Sequence, residues 1–210
     1  MIQLGRLITR AARHSGHLPA LTSGTNCFTW RQVETRVWRI ARALRARGVK
    51  QGDRVAYLGV NSIRYFEMYY APSRIGAISV PLNFRLAQAE LIEMLEDCTP
   101  TVLMADGLHF ETARALQRAV PSIQHLIWAD DLPAPKDVES YDTLVAGNGE
   151  DDGDGIEDLG SSDNDTAIIF YTGGTTGRGK GVMLRLINKF LNSATLSPDK
   201  TGIACLFSSK

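Results

Sequence analysis

Apolar residues recur at Val33, Val37, Ile40, Ala41 and Leu44, while Arg36, Arg39, Arg42 and Arg45 occupy the intervening faces. This spacing predicts an amphipathic helix. Gly48 suits its end, because glycine tolerates the left-handed geometry of a helix cap. Gly52-Asp53 reads as a turn, and Val55 to Val60 as a buried strand. Asn61 or Ser62 can cap a following helix from Arg64 to Arg74. Pro72 should make that helix irregular, since proline offers no N–H to the helical ladder.

The alternation continues. Ala77 to Leu82 is strand-like, and Arg85 to Asp97 returns to helical spacing through Leu86, Leu91, Met94 and Leu95. Thr101 to Ala105 predicts a strand, Phe110 to Val120 a helix, His125 to Ala129 a strand, and Thr166 to Tyr171 (TAIIFY) a further strand. Strands alternating with helices imply βαβ units, so the expected fold is α/β, a parallel βαβ-type sheet with flanking helices. Phe66, Tyr69 and Tyr70 could form a stacking platform, but aromatics near helical spacing beside apolar strands are expected in the core. The segment 146–165 breaks the pattern with Gly, Asp, Ser and Asn, and reads as an exposed acidic loop. Glu150, Asp152, Asp154 and Gly155 match the opening of a calcium loop, but its twelfth position is Ser161 rather than a bidentate Glu.

Charge is distributed unevenly. Residues 1–50 hold ten Lys or Arg against one acid, Glu34, and residues 150–165 hold eight acids and no base. The whole chain nevertheless has a net charge of zero, so no global field draws it to nucleic acid, and both runs are expected to be solvated surface. No apolar run reaches the length of a membrane span. Cys27, Cys98 and Cys205 form no CxxC pair or Cys/His cluster, so reduced, small buried side chains in a cytoplasmic protein are expected. Arg6, Arg10 and Arg13 interleave with Leu4, Leu7, Ile8, Ala11 and Ala12. That pattern fits a mitochondrial transit segment or the first helix of the domain. The folded-looking sequence that follows at once favours the helix.

The chemistry concentrates after the TAIIFY strand, in Thr172-Gly173-Gly174-Thr175-Thr176-Gly177-Arg178-Gly179-Lys180-Gly181-Val182. Glycines let the backbone bend tightly and bring its N–H groups to an anion. Thr172, Thr175 and Thr176 add hydroxyls, and Lys180 adds a charge for phosphate oxygens. Five Gly, three Thr and one Lys directly after a buried strand are more than a plain surface turn requires. Gly174, Gly179 and Lys180 also satisfy GxxxxGK, the Walker pattern. That pattern needs Ser or Thr next, and the residue here is Gly181.

The segment YTGGTTGRGKGV resembles YTSGTTGxPKGV, the hallmark of the adenylate-forming (AMP-binding) superfamily. The similarity extends over FTWRQVETRVWRIARALRARGVKQGDRVAYLGVNS and RIGAISVPLNFRLAQAELIEMLEDCTPTVLMAD, roughly residues 4 to 184. Pro81-Leu82-Asn83-Phe84-Arg85-Leu86 looks like the PLNxRL form of fatty-acid or aromatic-acid CoA ligases rather than the PLDPxYP of peptide-synthetase adenylation domains. The resemblance implies ATP, magnesium (Mg2+), coenzyme A and a small-molecule carboxylic acid, with a fatty acid expected. It also implies two half-reactions, through acyl-AMP to acyl-CoA. On it, Thr172, Gly173, Gly174, Thr175, Thr176, Gly177 and Lys180 hold the β- and γ-phosphates, and Thr172 or Thr175 lies near magnesium.

Three positions depart from that pattern. Gly173 stands in place of Ser, Gly179 in place of Pro, and Leu186 where the family often has His. The later motif YGxTE, the ribose-gripping Asp, the hinge and the lid domain with its lysine do not occur in the 210 residues. The expectation is therefore an incomplete N-terminal domain with an unknown catalytic residue, inactive or poorly active alone and lacking a C-terminal half. The alternative is a non-catalytic remnant or a phosphate- or nucleotide-binding module.

Overall fold

The computed structural model describes residues 4–146, 165–172 and 179–185. Helix α1 (Leu4–Ser15) packs on α2 (Trp30–Ala46) and α3 (Ile63–Arg74), with Ile8 and Ala12 buried, so it is an integral helix of the domain. Strands β1 (Pro19–Ser23) and β2 (Asn26–Thr29) form a small antiparallel hairpin that hydrophobic spacing did not reveal. Its strands are too short and too exposed to show a clean alternation. Cys27 lies there, exposed rather than buried as expected.

Helix α2 (Trp30–Ala46) buries the five apolar residues of the periodic stripe. Its start is set by a capping box: the Gln32 N–H donates to Thr29 Oγ1, and the Thr29 N–H donates to Gln32 Oε1. At its end the Gly48 N–H donates to Arg45 O and the Val49 N–H to Leu44 O. This double closure needs the left-handed Gly48, at φ +83°.

Strand β3 (Arg54–Leu58) ends earlier than expected, because the chain turns toward Ser62. Ser62, one of the two candidate caps, accepts from the Tyr65 N–H and opens α3 (Ile63–Arg74). Pro72 sits in the last turn of α3 and leaves the Met68 carbonyl without its helical donor. The buried Ser79 hydroxyl, from the next strand, supplies the missing hydrogen bond at 2.7 Å.

Strand β4 (Ile78–Leu82) leads to α4 (Gln88–Cys98), which starts three residues later than its periodicity predicts. Asn83 causes the delay: its carbonyl and its side chain take the N–H groups of Leu86 and Arg85 in a turn. Then follow β5 (Val102–Ala105), α5 (Phe110–Ala119), β6 (His125–Trp128), the two-residue β7 (Glu139–Ser140), α6 (Tyr141–Ala146), β8 (Thr166–Thr172) and β9 (Lys180–Arg185).

The main sheet has the order β7-β6-β5-β3-β4-β8-β9. Every pairing is parallel except β8 with β9. The fold is therefore α/β as expected, with an antiparallel edge strand that the sequence did not announce. Both faces are covered, which explains the unbroken apolar runs of β3 and β5. Val55, Tyr57, Val102 and Met104 meet α2, α3 and α6 on one face. Ala56, Leu58, Leu103 and Ala105 meet α4 and α5 on the other. Phe66 and Tyr70 are buried and Tyr69 half-buried in the first of these layers, so the aromatic cluster is core. The acidic loop and the calcium-like spacing at 150–155 and 161 lie outside the described residues, as does Cys205.

Candidate functional site

The carboxyl ends of β3, β4, β5 and β8 share one edge of the sheet, because these strands run parallel. Ligands of α/β sheets bind along such an edge. The glycine- and threonine-rich segment emerges there between β8 and β9. The last rung of that hairpin pairs Thr172 with Lys180. Residues directly opposite on antiparallel strands project to the same side. One hydroxyl and one ammonium thus flank the entrance and exit of the intervening loop, both exposed. The Thr172 hydroxyl donates to the Lys180 carbonyl at 3.4 Å. Of the predicted site residues, Thr172 and Lys180 are thereby brought together. Gly173, Gly174, Thr175, Thr176 and Gly177 lie outside the described residues.

This geometry settles the Walker alternative. A Walker lysine opens a helix, whereas Lys180 opens an antiparallel strand.

Two glycines at the exit have packing roles. A Cβ on Gly181 would come within 3.0 Å of Ile169 Cγ2 and 3.3 Å of the Tyr171 ring, which lies across it. A Cβ on Gly179 would sit 2.9 Å from the Met94 methyl of α4. On the other arm, the Tyr171 hydroxyl donates to Asp97 of α4. Partial burial and this bond to a carboxylate push the Tyr171 pKa well above its ordinary value, so the phenol stays protonated and donating. Sequence reading found neither Met94 nor Asp97. Asp97 lies 74 residues from Tyr171, which it meets, and helical spacing marks Met94 only as core.

The neighbouring part of the edge is also occupied. β3 and β5 are adjacent, yet the chain leaves them toward opposite faces, into α3 and α5. The crevice expected at such a switch point is filled by the buried Asp106. It accepts from the Val60 N–H at 2.8 Å and the His109 N–H at 3.0 Å, and pairs with His109 Nδ1 at 2.6 Å. A Cβ on Gly59 would come within 2.6 Å of Asp106 Oδ2, so glycine is needed there.

Magnesium prefers oxygen ligands and commonly rides on substrate phosphates rather than in a protein cage. Among the described residues no three His, Cys, Asp or Glu gather as a metal cage. The exposed Thr172 side chain carries a hydroxyl oxygen and the exposed Lys180 side chain a positive charge, groups of the kind that engage phosphate oxygens. Among the described residues no helix is long and apolar enough to cross a membrane.

A family profile described as "AMP-binding enzyme" matches residues 8–204. Feruloyl-CoA synthase from Amycolatopsis sp is 38% identical over 86% of this chain and 33% of its own length. Indoleacetate–CoA ligase from Aromatoleum aromaticum is 35% identical over 82% of this chain and 33% of its own length. A long-chain-fatty-acid–CoA ligase from Archaeoglobus fulgidus superposes with a TM-score of 0.80 at 26% identity, covering 93% of this chain and 39% of that structure. The chain spans about a third of the length of the curated relatives it matches.

Proposed function

We propose, from the premise that this chain belongs to the AMP-binding enzyme family, that its β8–β9 hairpin grips the β- and γ-phosphates of ATP during activation of a small carboxylic acid. The observation that carries this reading is the Thr172–Lys180 rung at the carboxyl edge of the sheet, bracketing a Gly/Thr-rich loop. In the reaction a carboxylate oxygen bonds to the α-phosphorus and the bond to pyrophosphate breaks. The thiol sulfur of coenzyme A then bonds to the acyl carbon and AMP leaves, the thiol proton passing to solvent.

Lys180 holds negative phosphate oxygens and offsets charge that accumulates on departing pyrophosphate. Thr172, with Thr175 and Thr176, orients the same group through hydroxyls, and the backbone N–H groups of Gly173, Gly174 and Gly177 add further donors. A magnesium ion arriving with ATP supplies Lewis-acid neutralisation, with Thr172 or Thr175 beside it.

The acid is the finer question. PLNxRL is compatible with fatty or aromatic acids, and the name of the Archaeoglobus protein supports the fatty one. The more similar relatives carry feruloyl and indoleacetate names. Of the two, the aromatic acid has the stronger support. A cytoplasmic location belongs to the same reading. A second reading, carried by the same Thr172–Lys180 rung, is a nucleotide-phosphate-binding module.

ATP–pyrophosphate exchange with a panel of aromatic and fatty acids separates these readings. Acid-dependent exchange that Lys180→Ala reduces about tenfold or more supports the complete activity. Absence of exchange together with Lys180-dependent ATP binding supports the module. Exchange that is indifferent to Lys180→Ala contradicts both.

A further inference from the structure

Both arms of the hairpin touch the same helix, at positions one turn apart. Met94 and Cys98 lie on the inner side of α4, and Asp97 lies at its exposed edge. The entry arm is held by the Tyr171 hydroxyl on Asp97. The exit arm crosses the Met94 methyl at Gly179, with no room for a side chain unless Met94 moves.

The helix is itself fixed at this end. Its cap, Thr99, takes the left-handed conformation at φ +43°, which a β-branched residue resists. The Arg54 guanidinium offsets that by donating to the Cys98 carbonyl and, at 2.7 Å, to the Thr99 carbonyl, two acceptors left open by the end of the helix. Arg54 belongs to β3, in the middle of the sheet. A chain of direct contacts therefore runs from the central strand through the α4 terminus to the hairpin.

We propose that Asp97 and Met94 are positioning residues for the phosphate-binding loop, with α4 acting as the seat that sets how far apart, and at what angle, β8 and β9 present it. Gly179 follows from the same seat. At Gly179 the backbone passes close over the Met94 methyl, and a side chain there would require that methyl to swing aside. The proposal rests on the nucleotide-phosphate reading only for what the loop binds, and not for how it is held.

Two measurements on the 210-residue chain test it. The first is amide hydrogen exchange at Tyr171–Thr172 and Lys180–Gly181, with the β3 and β5 amides as internal controls. The second is affinity for magnesium–ATP. The variants are Asp97→Ala, Tyr171→Phe, their combination, and Asp97→Glu, none of which removes a buried core side chain.

Loss of one charge-assisted hydrogen bond predicts about fivefold faster exchange at the hairpin amides in either single variant. The double variant should exchange no faster, because both lose the same bond. β3 and β5 should not change, and Asp97→Glu should recover part of the effect. Magnesium–ATP affinity should fall in step, whereas a role confined to general stability would leave the affinity of the folded protein unmoved. Unchanged hairpin exchange in Asp97→Ala, or additive effects in the double variant, overturns the proposal. Wild-type protein that fails to bind magnesium–ATP overturns the nucleotide reading instead, and the exchange data then decide the seating alone.

Discussion

Lys180 contributes nothing visible to the core, since it is exposed at the open end of a hairpin. Its removal should therefore leave folding intact while affecting anion binding. The opposite holds for Glu67, which is fully buried. Arg36 donates to both of its carboxylate oxygens, and the buried Tyr141 hydroxyl donates to Oε2 at 2.8 Å. This triad ties α2, α3 and α6 together. Glu67→Ala strands a half-buried guanidinium and a buried phenol, and should cost about 3 kcal/mol. Tyr141→Phe leaves the ion pair in place and should cost about 1–2 kcal/mol. Urea denaturation reads both, and a smaller loss for Glu67→Ala than for Tyr141→Phe would contradict the account. Ser79→Ala should likewise cost about 1–3 kcal/mol, because the Met68 carbonyl freed by Pro72 would lose its donor in a buried site.

Elements with strong periodicity were legible in the sequence, and those defined by distant partners were not. The α2 stripe, the β3 and β5 runs and the Gly48 stop could be read directly, because each states its burial locally. The capping box is also present in the sequence as Thr29 and Gln32, but an apolar stripe alone does not mark it. Thr29→Ala should cost about 1 kcal/mol. Gly48→Ala, which forces a Cβ into φ +83°, should cost roughly 1–2 kcal/mol. Thermal or urea midpoints check both. The hairpin strand β9 was hidden for a physical reason. Its glycines and Lys180 read as loop chemistry, while its pairing is dictated by β8 and by the contact of α4 with Tyr171 and Gly179. The Gly/Thr-rich composition between β8 and β9 was therefore legible, but the contacts of its flanking arms with Asp97 and Met94 were not.

On the scale of the whole molecule, burial raises the tyrosines and one thiol together. It pushes Tyr70 up to about 12 and Cys98 up to about 11, and raises Tyr57 and Tyr141 well above the ordinary phenol range. A raised pKa in the folded state means that unfolded chains ionise first. Stability should therefore be full below pH 9, begin to fall as unfolded Cys98 ionises, and fall steeply above pH 10 as the tyrosines follow. Urea midpoints at pH 8, 10 and 11 measure this, and a flat profile would contradict the burial of these groups. At the opposite end of the sheet from β7, β9 is the edge strand among the described residues and exposes Val182 at 43% and Met183 at 66%. An open apolar edge promotes pairing between copies. Sedimentation of the 210-residue chain should show concentration-dependent association that Met183→Lys reduces, and a monomer at all concentrations would count against it. The central claim is that the β8–β9 hairpin holds nucleotide phosphates, and titration calorimetry with magnesium–ATP tests it most directly, on the wild-type chain and on Lys180→Ala. Saturable binding is expected, weakened about tenfold or more by Lys180→Ala with an unchanged thermal midpoint. No binding, or equal binding by both proteins, would contradict it.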